Sequence, residues 1–158
     1  MVHNEATTAA IALFLRLIRL ENPDMVPLYI MLDRDIAQIN AVLLVYPEAT
    51  VLLCWWHVLH AWRKHFSTSA YPKLWSTLKI WLRQDKKEVF WKTWGQILAM
   101  DPEDCPPSMK DYLHAEWLDP KFLPMWAAWS RTGRYVTEHS DTNMLVEASV
   151  RRIFDSRH

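Results

Sequence analysis

Residues 29–66 read YIMLDRDIAQINAVLLVYPEATVLLCWWHVLHAWRKHF, and this stretch decides the fold class. It carries most of two short apolar runs, Pro27–Leu32 and Val51–Trp55, whose composition favours strands buried on both faces. Between them, apolar residues recur at helical spacing until Pro47 stops the helix. The order of strand, helix and strand predicts a β-α-β unit.

Two acidic residues follow the first predicted strand, and they are expected to have different roles. Asp33 lies where the strand ends, and open α/β sheets meet their ligands and metal ions beyond the carboxyl ends of their strands. Asp35 and Gln38 have the spacing of a capping box, so Asp35 is predicted to bind backbone N–H groups of the next helix. Taken alone, Asp33 also fits a solvated residue at a strand end.

The composition is that of a globular protein. The chain has 158 residues, of which 51% are hydrophobic, so it can bury a sizeable core and is neither disordered nor collagen-like. Lysine plus arginine equals aspartate plus glutamate at 18 each, which gives no overall electrostatic signature of nucleic-acid binding. Any basic surface must therefore be local.

Several classes of function are excluded or disfavoured. The chain has only 2 glycines, Gly95 and Gly133, so the glycine-rich loops that bind nucleotide cofactors cannot form. The apolar runs are shorter than a bilayer span and the first residues do not resemble a signal peptide, which predicts an intracellular protein without a membrane partner. Cys54 and Cys105 do not make a disulfide framework and are predicted to be reduced.

The rest of the chain has helical periodicity interrupted by proline and aspartate. The predicted helices are Thr7–Leu20, His57–Phe66, Lys73–Arg83, Lys87–Met100, Pro107–Trp117, Phe122–Arg131 and Thr142–Phe154. The fold class is therefore α/β and mostly helical. We expect a helix and a β-α-β core in residues 1–66, an all-helical insertion in residues 67–140 and a closing helix in residues 141–158.

Four motifs in order carry a resemblance to a known family: Leu32-Asp-Arg-Asp35, Ile39-Asn-Ala41, Tyr46-Pro47 and Cys54-x-x-His57. They resemble the central block of Mutator-like element (MULE) transposases, which are RNase H-like DDE enzymes. The later aromatic pattern around Tyr112, Trp117, Trp126 and Trp129, followed by Thr142-Asn143 and Glu147, resembles the family's helical insertion and closing motif. The resemblance covers nearly the whole chain.

The resemblance implies a partial RNase H-like core and DNA strand cleavage and transfer by two-metal chemistry. Asp33 would be the second catalytic carboxylate and Glu147 the third, both binding Mg²⁺ or Mn²⁺, with Cys54, His57 and Asn143 as supporting residues. DNA would be the partner and the nucleus the location, with the cytoplasm as the alternative. Met144 departs from the closing motif, and Glu147 also fits an ordinary i,i+4 surface pair with Arg151.

The family's first catalytic Asp lies on a strand upstream of the block, and no residue of this sequence matches it. We therefore expect a fragment or relic of a transposase that is inactive alone. The alternative is a non-catalytic helical module that binds DNA or protein. Two strands also make a poor sheet with an unpaired edge, which predicts self-association.

Two further groups of residues are candidates for a zinc site and for a DNA contact. Cys54 and His57 supply two of the four ligands that a structural zinc site needs, so zinc is not expected. The 10 tryptophans are expected to lie mostly in the core. Trp129 with Arg131 and Arg134 is the predicted DNA contact, because an aromatic ring beside two cations suits an unpaired base.

Overall fold

The computed structural model describes residues 2–131, which fall into two compact units, residues 2–54 and residues 55–131. Helices make up most of both units, and the strands found in the described residues pair in the first unit. The predicted mostly helical α/β fold is therefore confirmed at this level. Across residues 2–131, no helix combines the length and the apolar character needed to cross a membrane.

The first unit contains a parallel β-α-β arrangement. Its elements are α1 (Val2–Glu21), β1 (Tyr29–Leu32), α2 (Ile36–Val45) and β2 (Thr50–Leu53). Ile30 pairs with Val51 and Leu32 with Leu53, and the strands run in the same direction. Parallel neighbours need a crossover connection, and α2 supplies it. The β-α-β unit is confirmed, whereas its membership of an RNase H-like core stays a prediction.

Small residues let α1 pack closely on α2. Ala12 on α1 and Ala41 on α2 belong to one buried cluster, which Tyr46 completes. Arg19 of α1 contacts the carboxyl end of α2. Its Nη1 donates to the Val45 carbonyl, and its Nη2 lies 2.9 Å from Glu48 Oε1. A cation at the carboxyl end of α2 also complements the helix dipole.

The two strands differ in burial. Val51, Leu52 and Leu53 of β2 are buried, whereas Tyr29 of β1 is exposed and the other β1 residues are half-buried. The expectation that the strand preceding Asp33 is buried on both faces is therefore wrong. Each strand has the other as its strand neighbour in the described structure, so strand pairing does not cause this difference; β1 has less cover on its faces than β2 has.

The second unit is helical throughout its described residues. Its elements are α3 (Trp55–Arg63), α4 (Pro72–Leu82), α5 (Lys87–Leu98), α6 (Pro107–Tyr112), a π-helical turn (Leu113–Trp117), α7 (Leu123–Trp126) and α8 (Ala128–Arg131). Proline opens α4, α6 and α7 at a first-turn position, where its missing N–H has no cost. The predicted breaks between these helices are confirmed, with small shifts at the ends.

Aromatic side chains form the core of the second unit. Trp62, Trp81, Trp117 and Trp126 are fully buried and Trp94 is 7% exposed, so half of the 10 tryptophans are buried, whereas the sequence predicted that most would be. The Trp62 ring stacks on Trp81 at 5.7 Å and meets Trp117 and Trp126 edge-on at 5.6 and 5.4 Å. These contacts place α3 in the helical unit, although the sequence grouped residues 55–66 with the β-α-β core.

The helix predicted over Phe122–Arg131 is interrupted. Ala127 has φ −68° and ψ 127°, which is extended backbone, so the segment splits into α7 and α8. Ser130 Oγ donates to the Pro124 and Ala127 carbonyls, both at 2.6 Å, and these bonds hold the carbonyls exposed by the break. The helix predicted over Pro107–Trp117 likewise changes to π geometry at Leu113, where the Leu118 N–H bonds to the Leu113 carbonyl at 3.2 Å.

Candidate functional site

Asp33 and Cys54 lie side by side at the carboxyl edge of the two-stranded sheet. Each directly follows its strand, and the last paired residues are Leu32 and Leu53. The Cys54 N–H donates to the Leu32 carbonyl at 2.9 Å, which extends the pairing to the edge itself. The parallel register thus places Asp33 where open α/β sheets meet their ligands.

The two neighbouring acidic residues lie in different surroundings, and the predicted helix cap at Asp35 is confirmed. The Asp35 carboxylate accepts the Gln38 N–H at 2.9 Å and caps α2. Asp33 is half-buried, and its Oδ1 atom is screened from solvent. The Asp35 N–H donates to the Asp33 carbonyl at 2.8 Å, so a tight turn separates the two side chains. Asp35 therefore caps the helix, and a ligand-binding role for Asp33 stays a prediction.

Cys54 and His57 fall in different units. Cys54 ends the first unit, where its free thiol is fully buried. His57 lies in the first turn of α3, half-buried, with its ring edge-on to Trp56 at 4.7 Å. Within residues 2–131, no three His, Cys, Asp or Glu side chains are grouped as metal ligands would be. The role of this pair, and the expectation that it does not bind zinc, stay predictions.

Three of the predicted site residues, Asn143, Glu147 and Arg134, lie outside the described residues. The expectation that Glu147 approaches Asp33 and shares a metal pair with it therefore stays a prediction.

Trp129 and Arg131 have partners within the helical unit. Lys87 Nζ lies 5.2 Å from the Trp129 ring centroid. Arg131 is only 6% exposed; its guanidinium lies 4.8 Å from the Trp55 ring centroid, and Nη2 donates to the Met125 carbonyl at 2.9 Å. A DNA contact by these residues stays a prediction, and Arg131 could reach a phosphate only by leaving these partners.

A second group of functional candidates was missed by sequence reasoning. It is a surface of the helical unit made by Trp56, His60 and Arg63 of α3 with Trp75 and Lys79 of α4 and the C-cap residue Arg83, here called the α3–α4 face. Its signal was present in the sequence as two stripes, i, i+4, i+7 on α3 and i, i+4, i+8 on α4. A cavity of about 150 Å³ lies between Trp56, Leu59, His60, Arg63 and Trp75.

A polar cavity of about 280 Å³ lies between α4 and α5, and the polar side chains around it make structural contacts. Lys73 forms an ion pair with Asp104, and this hydrogen bond raises the pKa of Lys73. Lys110 Nζ donates to the Leu98 and Met100 carbonyls at 2.9 and 2.6 Å, and so caps the end of α5. Burial raises the pKa of the nearby Cys105 thiol, which disfavours the reactive thiolate.

A scan of the chain against protein-family models found no match, and searches of the curated proteins and of the solved structures found none either.

Proposed function

We propose that the chain carries the later part of a catalytic domain of the MULE type, in which Asp33 is one of the carboxylates for phosphodiester chemistry on DNA. One observation supports this proposal above the others. Asp33 directly follows β1 at the carboxyl edge of a parallel β-α-β unit, where the resemblance would put the second catalytic carboxylate. Asp35, two residues further on, caps a helix.

Of the two side chains at the sheet edge, the Asp33 carboxylate suits a hard cation and the Cys54 thiol does not. Carboxylate oxygen is the ligand that Mg²⁺ and Mn²⁺ prefer, and Asp33 supplies one such group at a position fixed by strand pairing. When bound, a pair of these ions activates the attacking oxygen and stabilises the leaving oxygen of a phosphodiester. Cys54 beside Asp33 is a soft, buried thiol and adds nothing to such a site. Glu147 is the proposed third catalytic carboxylate.

A Mn²⁺ titration followed by amide NMR tests this proposal. We expect paramagnetic broadening that begins at the amides of residues 33, 34 and 54, because these surround the Asp33 carboxylate at the sheet edge. Asp33→Asn should abolish this broadening, since it removes the charged oxygen ligand while keeping the shape of the side chain.

Asp35→Asn is the matched control. It removes the same charge two residues away, and asparagine caps helices as well as aspartate does, so the fold is retained. Broadening should persist in this variant. Broadening that survives in Asp33→Asn, or that is lost equally in Asp35→Asn, would contradict a metal-binding role for Asp33.

The second candidate function is a non-catalytic interaction module, and the outer face of α1 favours it. Ala6, Ala10, Leu13, Leu17 and Leu20 are exposed and recur at alternating spacings of four and three residues, which is the pattern of a helix that packs on another helix. Leu13 is 59% exposed and Leu20 is 74% exposed, so this stripe is uncovered. Together with the outer edge of β1, which has no strand partner among residues 2–131, this stripe favours a second copy of the chain as the occupant.

We expect the chain to self-associate and Leu17→Glu to weaken that association. Burying one leucine contributes about 2 kcal/mol, so its loss and the added charge should raise the dissociation constant at least about 30-fold. Sedimentation equilibrium measures it. Leu98→Glu changes a leucine of similar exposure in the helical unit and should leave association unchanged. A monomeric parent chain, or equal effects of both variants, would exclude the α1 stripe.

A further inference from the structure

The α3–α4 face combines one exposed tryptophan ring, half-buried aromatic rings and cations. Trp56 is 42% exposed, and its ring lies 5.0 Å from the His60 ring at an interplanar angle of 8°, so His60 supports the indole by stacking. Tryptophan that projects into solvent forfeits burial energy, and a ring held flat against a neighbour is already oriented for a further planar group. This is the geometry of a stacking platform.

A cationic side chain lines the cavity next to this platform, and further cationic side chains lie beyond the cavity. Arg63 is exposed one turn after His60, and within residues 2–131 it has no ion-pair partner. On α4, Lys79 Nζ lies 5.6 Å from the Trp75 ring centroid. Lys79 also lines a neighbouring cavity with Arg83, so the positive charge continues along α4.

Among the described residues, no acidic side chain lines either cavity. The lining consists of Trp56, Leu59, His60, Arg63 and Trp75 in one and of Ser76, Lys79, Ile80, Arg83 and Gln84 in the other. The chain as a whole has equal numbers of acidic and basic residues. The neutral composition of the chain allows a basic surface only locally, and the α3–α4 face is such a surface.

The size and chemistry of the face select a ligand class. The cavity of about 150 Å³ is small beside the roughly 300–1,000 Å³ of pockets that enclose a whole cofactor or drug-sized molecule. It suits one planar ring, while the row of cations suits a chain of phosphates. Unpaired nucleotides offer both groups at once, whereas duplex DNA keeps its bases stacked inside the helix.

We propose that the α3–α4 face binds single-stranded nucleic acid, with a base stacked on Trp56 and phosphates bound by Arg63, Lys79 and Arg83. The site lies wholly in the helical unit and does not require Asp33 to act in catalysis. It also differs from the predicted contact at Trp129, Arg131 and Arg134.

Fluorescence polarisation with the whole chain tests this proposal. The probes are labelled oligothymidylate and oligouridylate of about 12 nucleotides, a length within the ~4–16 that such sites cover, and a duplex of equal length. Trp56→Ala should weaken single-strand binding about 5- to 100-fold, and Trp56→Phe, which keeps a π-face, should lose less. Arg63→Gln should reduce the slope of log K against log salt by about 0.7.

Two substitutions on α5 serve as matched controls. Trp91 is 39% exposed and Lys92 is exposed, so Trp91→Ala and Lys92→Gln change the same residue types outside the face and should leave affinity and salt slope unchanged. Thermal unfolding of Trp56→Ala should match the parent chain, because this ring is not in the core; if that variant unfolds, Trp56→Phe and Arg63→Gln decide the question. Preference for one oligonucleotide identifies DNA or RNA as the ligand.

Three outcomes would overturn the proposal: no saturable binding of either oligonucleotide, an equal loss in Trp91→Ala, or duplex binding as tight and as sensitive to Trp56→Ala as single-strand binding. None of these readouts depends on metal ions or strand cleavage. Failure here would therefore leave the proposed role of Asp33 untouched.

Discussion

Replacing Trp126 with alanine should unfold the helical unit or leave it barely stable. The Trp126 ring is fully buried and contacts four other rings, those of Trp62, Trp81, Phe90 and Trp117, at 5.1 to 6.2 Å. Its Nε1 donates to the Trp117 carbonyl at 2.9 Å, and its own carbonyl accepts Trp55 Nε1 at 2.8 Å. Removing the ring opens a large cavity and takes one hydrogen bond from the Trp117 carbonyl.

The expected loss is about 3–5 kcal/mol, because truncation of a buried tryptophan removes transfer energy and creates a void. That is a large part of the roughly 5–15 kcal/mol that stabilises a typical domain. Urea unfolding followed by tryptophan fluorescence measures it for the helical unit, since all 10 tryptophans fall at residue 55 or later. Trp91→Ala, at an exposed ring, should cost less than about 1 kcal/mol. Equal midpoints for the two variants would contradict the central place of Trp126.

The isolated chain should not nick plasmid DNA in Mg²⁺ or Mn²⁺. By the proposed assignment, Asp33 and Glu147 are two members of a set of three carboxylates, and no residue of this sequence matches the first. Catalytic groups that act as a unit lose roughly 10⁴-fold or more in rate when one is missing. An extended form that supplies an upstream strand ending in Asp should gain metal-dependent nicking.

Asp33→Ala is the informative control in that assay. In the extended form it should abolish the gained activity, whereas Asp35→Asn, which retains the helix cap, should not. Metal-dependent nicking by the 158-residue chain itself, abolished by Asp33→Ala, would mean that a complete site exists here and that the proposed absence of a carboxylate is wrong.

Local patterns in the sequence predicted local structure well. The cap at Asp35 depends on residues three positions apart, and the β-α-β order depends on one continuous stretch, so both could be derived before any contact was known. The position of Asp33 at the sheet edge followed from the same stretch. Glu147 is separated from it by the whole helical segment, so no local pattern can bring the two together.

Features that depend on packing between helices could not be predicted. Nothing in the sequence around Ala127 resembles a helix stop, and the break is held by bonds to Ser130 and by the contacts of Trp126. The π-helical turn that begins at Leu113 is only a few residues long. Over so short a segment, the spacing of apolar residues does not distinguish a π-helix from an α-helix. The α3–α4 face was missed because each helix supplies only half of it.

The two cysteines give the chain a reporter in each unit. Cys54 belongs to the first unit and Cys105 to the second, and both thiols are free and fully buried. A thiol reagent can reach either sulfur only after the structure around it opens, so the labelling rate of each cysteine under native conditions measures the opening of its own surroundings. The wild-type chain therefore reports local unfolding around each of the two cysteines without an engineered probe. Comparison of the two labelling rates shows whether these two regions open together or apart.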